Sequence, residues 1–269
     1  MENVPNRSLP RKIIQILNQI DFLGFIFALI SFILWRVFMQ KSPNPIYVPP
    51  DFSSINYPIS PNNTPKRILD YFIFFGSISL MFVLNLISKY YHSCRSFNII
   101  SSIWSVITAN CLALAVTCYF KSYVGWPRPN TYFICGYNTN YETCNSSKKD
   151  SLFLSWPSYH ATQAMSGATF MAFFIQKFFP PYIFFDMIGI LMFFAAIYVG
   201  ANRIRNYKHH PEDVTAGLLI GFIISFFIWK GSKRKIFPKV SSHGISNEDT
   251  FNQNVNGDND DVINIRVSS

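Results

Sequence analysis

The stretch YVGANRIRNYKHHPEDVTAG, Tyr198–Gly217, lies between two long apolar runs and decides how the chain is read. It sets Arg203, His209 and Asp213 in one short polar loop. Pro211 suits the first position of a helix, with Glu212 and Asp213 in its first turn, so one helix ends and another begins here. His209 and Asp213 are four apart, and a carboxylate at that offset reaches back to an imidazole just outside the helix. Bonded to one ring nitrogen, it fixes the tautomer and leaves the other nitrogen free to attack an electrophile. The same residues also read as a loop of solvated charges at a membrane surface.

Outward from this loop the chain is blocks of apolar sequence. It has 269 residues, 49% hydrophobic and 17% aromatic, with 28 Phe and only 14% charged, where a soluble domain carries about a quarter. Six apolar runs cover about 22–39, 68–88, 97–120, 158–178, 182–200 and 213–229. Each approaches the roughly 20 residues that cross a bilayer as a helix, and spanning backbone must be helical or a closed barrel. The expectation is an all-α, polytopic six-helix bundle over 22–230. An even count puts both termini on one side, and the loops 40–67, 121–157 and 201–212 on the other.

The net charge of +9 does not point to nucleic acid, because Lys and Arg sit at the ends of the apolar runs. A modest excess on the terminal side makes that side cytosolic. The opposite side carries Asn62-Asn63-Thr64 and Asn145-Ser146-Ser147, both glycosylation acceptors, and Cys135 and Cys144 in one loop, a pairing that suits an oxidising compartment. Cys94, Cys111 and Cys118 fall in or near apolar runs and read as packed thiols. Residues 1–21 form a cytosolic leader in which IIQILNQI is either an interfacial helix or the start of the first span. After the last run comes the basic cluster KGSKRKIFPK, suited to anionic headgroups, and then an Asn- and Asp-rich tail too poor in apolar residues to fold alone.

Two more stretches open onto the same side as the first. KSYVGWPRP places Lys121 and Arg128 seven apart, and SWPSYHATQ carries Ser158 and His160 at the start of the fourth run. In order they read K-x6-R-P, P-S-x-H and R-x5-H-x3-D. This order, with each motif at the mouth of an apolar segment, resembles the type-2 phosphatidic acid phosphatase superfamily and, within it, the lipid phosphate phosphatases. The resemblance covers roughly residues 20–230, including IYVPPDFSSINYPIS in the first loop. It implies that Lys121, Arg128, Ser158, Tyr159 and Arg203 bind phosphate; Pro157 to His160 begin an apolar run, so the free backbone N–H groups of a helix start there would point at the anion. It further implies that His209 is the nucleophile, Asp213 its orienting carboxylate and His160 the general acid. Three cationic side chains take the charge-stabilising part that a metal plays elsewhere, so no metal or other cofactor is expected. His210 has no role in this scheme, and adjacent histidines rarely converge on one ion.

Two positions depart from the family pattern. Tyr159 replaces the usual Gly after the motif serine, and Asn202 replaces the usual Ser before Arg203. Neither removes a proton-transfer or covalent role. The expected partners are lipid phosphates and membrane lipids, with no nucleic acid. The substrates that the resemblance implies are phosphatidic acid, lysophosphatidic acid, sphingosine or ceramide phosphate and diacylglycerol pyrophosphate. The competing readings are a membrane phosphotransferase using the same phosphohistidine, a non-catalytic lipid-phosphate-binding relative, and a vanadate-dependent haloperoxidase, which six spans argue against.

Overall fold

A computed structural model describes residues 21–49, 53–58, 66–91, 93–137 and 139–238, with the backbone alone over 66–75. The leader up to residue 20, Asn62 and the tail from residue 239 lie outside the described residues. Among the described residues there are eight α-helices and no strand: α1 Phe22–Met39, α2 Lys66–Tyr90, α3 Ile99–Val124, α4 Thr131–Cys135, α5 Lys149–Leu152, α6 Tyr159–Phe178, α7 Ile183–Arg205 and α8 Pro211–Ile236. The helices start where the sequence offers a cap. The Asp21 carboxylate accepts the Gly24 N–H at 3.2 Å, the Asn98 side-chain oxygen accepts that of Ser101 at 3.1 Å, and Pro211 opens α8.

Four of these helices, α1, α3, α7 and α8, are long and apolar enough to cross a membrane. The other two long helices coincide with expected runs but are more polar. Helix α2 begins with Lys66, Arg67 and Asp70. Helix α6 carries Thr162, Gln163, Ser166 and Thr169, all buried, because it is the central helix and packs against α2, α3, α7 and α8. A helix shielded by its neighbours has no need of an apolar surface all round. The outer helices are the reverse: Ile183, Phe184, Met187, Ile190, Leu191, Phe194 and Ile197 of α7 are exposed at helical spacing, a stripe that suits a hydrocarbon solvent and that a water-soluble surface would not carry at this size.

The bundle has two unlike ends. At one, Met81, Leu84, Phe170, Phe174, Phe178, Trp229, Ile236 and Phe237 form the main core. The segment before α3 is tied there, with the Arg95 N–H donating to the Phe178 carbonyl at 2.9 Å and the Asn98 N–H to the Ile236 carbonyl at 2.8 Å. Lys235 reaches Asp21 at 3.0 Å, joining the end of α8 to the start of α1. The basic cluster therefore begins as the last turns of α8, which continues well beyond residue 229.

The other end holds the polar loops. Val48, Ile55, Tyr132, Cys144, Leu152 and Phe153 make a small apolar cap, closed by a disulfide between Cys135 and Cys144. Gly125 ends α3 with φ +60, and a Cβ there would lie 2.0 Å from the Asn44 carbonyl oxygen. Only glycine meets both demands. It lets the first loop cross over the turn that launches Trp126, Pro127 and Arg128.

Candidate functional site

The three motif stretches meet at this polar end. Helix α7 runs through Arg205, so Arg203 lies in its last turn rather than in the loop expected from the sequence. The polarity of NRIR ends the apolar run, whereas the backbone stays helical for one turn more. A tight turn follows, with Tyr207 at φ 51 and the Lys208 N–H on the Arg203 carbonyl at 3.0 Å. His210 then precedes α8, and its N–H donates to Asp213 Oδ2 at 2.9 Å. His209 Nδ1 faces the same oxygen at 3.4 Å, with side chains only 2% and 0% exposed. Imidazole and carboxylate are thus neighbours across the first turn of α8, at the long end of hydrogen-bond range.

Lys121 likewise belongs to a helix, the last turn of α3, and not to the loop beginning at residue 121. Its ammonium donates to the carbonyls of Leu154 at 2.7 Å and Ser155 at 2.9 Å. Arg128 donates to the carbonyls of Ser151 at 2.6 Å, Lys208 at 3.0 Å and Leu154 at 3.4 Å. Main-chain oxygens from the segment 151–155 leading into the second stretch, and from Lys208 of the third, therefore hold the cations of the first. Arg203 is 4% exposed. Ser158 is the N-cap of α6, but its N–H donates to the Asp213 carbonyl at 2.8 Å. That amide serves to dock α6 on α8, which narrows the expected set of anion-binding amides to those after it. The Ser158 hydroxyl is buried without a hydrogen-bond partner among the described residues. Tyr159 sets its ring edge against His160, centroids 5.7 Å apart.

Two residues without an expected role join this cluster. The Ser155 hydroxyl donates to Asp213 Oδ2, and His210 Nε2 lies 3.1 Å from the Pro127 carbonyl, pinning the first stretch to the third. Asn202, one of the two departures, takes the Asn206 amide on its side-chain oxygen at 2.7 Å and so finishes α7. Tyr57 of the first loop stacks on Tyr207, centroids 4.7 Å apart at 8°. Asn145 is exposed beside the disulfide. Cys111 and Cys118 are buried and Cys94 half-buried, none of them disulfide-bonded.

The electrostatics have one dominant feature. Burial holds the His209 imidazole well below its ordinary range, and the charges of Arg128, Lys121, His160 and Arg203 press it further down. The ring is therefore neutral at physiological pH, with a lone pair available. Arg128 is pushed down to about 10 by burial and by Arg203, against the pull of Asp213. Cations gathered out of water with one carboxylate among them are short of negative charge, and an anion would complement them.

Residues 102–237, just over half of the chain, match the PAP2 superfamily, and the chain belongs to that family. Its relatives include proteins named lipid phosphate phosphatase and phospholipid phosphatase. A PA-phosphatase related-family protein of Dictyostelium discoideum is 25% identical over 220 residues, covering 72% of this chain and 64% of the relative. Probable lipid phosphate phosphatase 4 of Arabidopsis thaliana is 31% identical over 137 residues, 44% of each chain. Phospholipid phosphatase 1 of Rattus norvegicus is 23% identical over 237 residues, 74% of this chain and 82% of its own. The chain thus spans 64% and 44% of the length of the first two. No solved structure matches it.

Proposed function

We propose that the protein is a lipid phosphate phosphatase that works without Mg²⁺ and passes the phosphoryl group through His209. The observation that carries this reading is the neutral, buried His209 surrounded by Arg128, Lys121, His160 and Arg203, with Asp213 on its Nδ1 side. A neutral nucleophile among cations is what attack on a phosphate ester requires, since those cations take up the charge spread over the equatorial oxygens. His209 Nε2 donates its lone pair to phosphorus, the P–O bond to the alcohol breaks, and His160 delivers a proton to the leaving oxygen. In the second half His160 takes a proton from water, whose oxygen attacks phosphorus and breaks the P–N bond. Lys121, Arg128 and Arg203 bind the phosphoryl oxygens throughout.

The membrane arrangement follows the same reading. Helices α1, α2, α3, α6, α7 and α8 make six spans with both termini cytosolic, and the site faces the lumen or the cell exterior at the plasma membrane or an internal membrane. Support comes from the contacts: the start of α1 lies with the end of α8, and the start of α3 with the ends of α6 and α8. The site lies at helix ends, at the depth of a lipid headgroup, which suits phosphatidic acid and related lipid monoesters and pyrophosphates. The test is release of inorganic phosphate from a panel of these lipids by purified protein in EDTA. Release by wild type and none by H209A is expected; strict dependence on added Mg²⁺, or equal rates in the two proteins, overturns the proposal.

A further inference from the structure

We infer that Ser155 is a positioning residue for this chemistry, fixing the Asp213 carboxylate in the orientation that presents His209. The inference rests on the reading of His209 as nucleophile.

Ser155 is fully buried, and its polar groups tie it to two motifs, the backbone to the first stretch and the hydroxyl to the third. Its N–H donates to the Trp126 carbonyl at 2.9 Å, in the turn that launches Arg128. Its carbonyl accepts the Lys121 ammonium at 2.9 Å. Its hydroxyl donates to Asp213 Oδ2, the oxygen that also takes the His210 N–H and faces His209 Nδ1. The other carboxylate oxygen, Oδ1, is buried with no hydrogen-bond partner among the described residues. The carboxylate is therefore gripped at one oxygen by two donors and is bare at the other.

That asymmetry gives the hydroxyl its function. With Ser155 in place, Oδ2 is kept beside the imidazole. With the hydroxyl gone, a single amide holds Oδ2, and the carboxylate can turn about Cβ–Cγ to exchange its oxygens. His209 then loses a fixed partner for Nδ1, and with it the fixed direction of the Nε2 lone pair. Hydrogen-bond partners that orient metal-bound histidines change activity by about 10–100-fold, and the same order is expected here. The backbone contacts of Ser155 do not depend on its side chain, so the cation cradle survives removal of the hydroxyl.

The test is steady-state and single-turnover kinetics of full-length S155A on phosphatidic acid, with inhibition by inorganic phosphate measured in parallel. The expected result is a fall in kcat of about tenfold or more, with KM and phosphate inhibition within about twofold of wild type. S155T, which keeps the hydroxyl, recovers most of the rate. In a D213N background S155A costs less than about threefold further, because both act on one interaction. Wild-type kcat in S155A, a raised KM with unchanged kcat, or a full additional loss in D213N overturns the inference. If S155A does not fold, S155G, which also lacks the donor, is judged by the same criteria. A wild-type protein that releases no phosphate from any lipid instead defeats the enzymatic reading itself.

Discussion

The proposed nucleophile, His209, owes its state to what surrounds it. Because burial and four basic side chains disfavour its protonated form, folding keeps the ring neutral while the unfolded chain takes up a proton below about pH 6.5. Stability contributed by the neutral ring is therefore complete above that pH and falls as pH drops through it, by at most about 1.4 kcal/mol per pH unit. Thermal melts of anion-free wild type and H209Q between pH 7.5 and 5.5 should show the steeper decline in wild type. The residues proposed for catalysis were legible in the sequence, and the contacts that hold them were not. The spacing of Lys121, Arg128, His160, Arg203, His209 and Asp213 is legible because side-chain roles leave residue types at fixed offsets. Ser155 and His210 were not legible, because one acts from 58 residues away on Asp213 and the other through a main-chain carbonyl 83 residues away, and such contacts leave no local pattern.

At the scale of elements, the site depends on how closely α8 approaches α6. A Cβ at Gly217 would lie 2.6 Å from the Ser158 carbonyl oxygen, and one at Gly221 only 2.4 Å from that of Thr162. Backbone atoms cannot step aside as a flexible side chain can. G221A should therefore destabilise the protein by about 1–3 kcal/mol, whereas G231A, whose Cβ meets nothing within 4 Å, should be neutral or stabilise by a few tenths to about 1 kcal/mol. Melting temperatures in one detergent check both. The disulfide of the cap is a second constraint of this kind: C135S/C144S should cost about 2–3 kcal/mol on the chain-entropy account, read as a lower melting temperature that reductant reproduces in wild type. The short α4 and α5 had no counterpart among the expected apolar runs, with which the six long helices coincide. Their ends were displaced where hydropathy and backbone part company, as at Lys121, Arg203 and the basic turns of α8, since apolar content reports the bilayer's edge and Gly125 or the turn at Tyr207 reports the helix's.

At the scale of the whole molecule, the described residues form a bundle with an aromatic core at one end and a buried polar cluster, short of negative charge, at the other. Inorganic phosphate or vanadate should then raise the melting temperature in a saturable way, by RT ln(1 + [L]/Kd) in free energy, and R203A should lose most of that rise. Glycan on Asn145 and a C-terminal tag reached only from the cytosol would place the two ends across the membrane as proposed. A tag labelled on intact cells would reverse them. The most direct measurement of the central claim is to quench purified full-length protein during turnover of phosphatidic acid labelled at phosphorus, in EDTA and at alkaline pH, and to map the label. The account predicts acid-labile, alkali-stable phosphate on His209, present in wild type and lost in H209A; label on another residue, or brisk phosphate release by H209A, would contradict it.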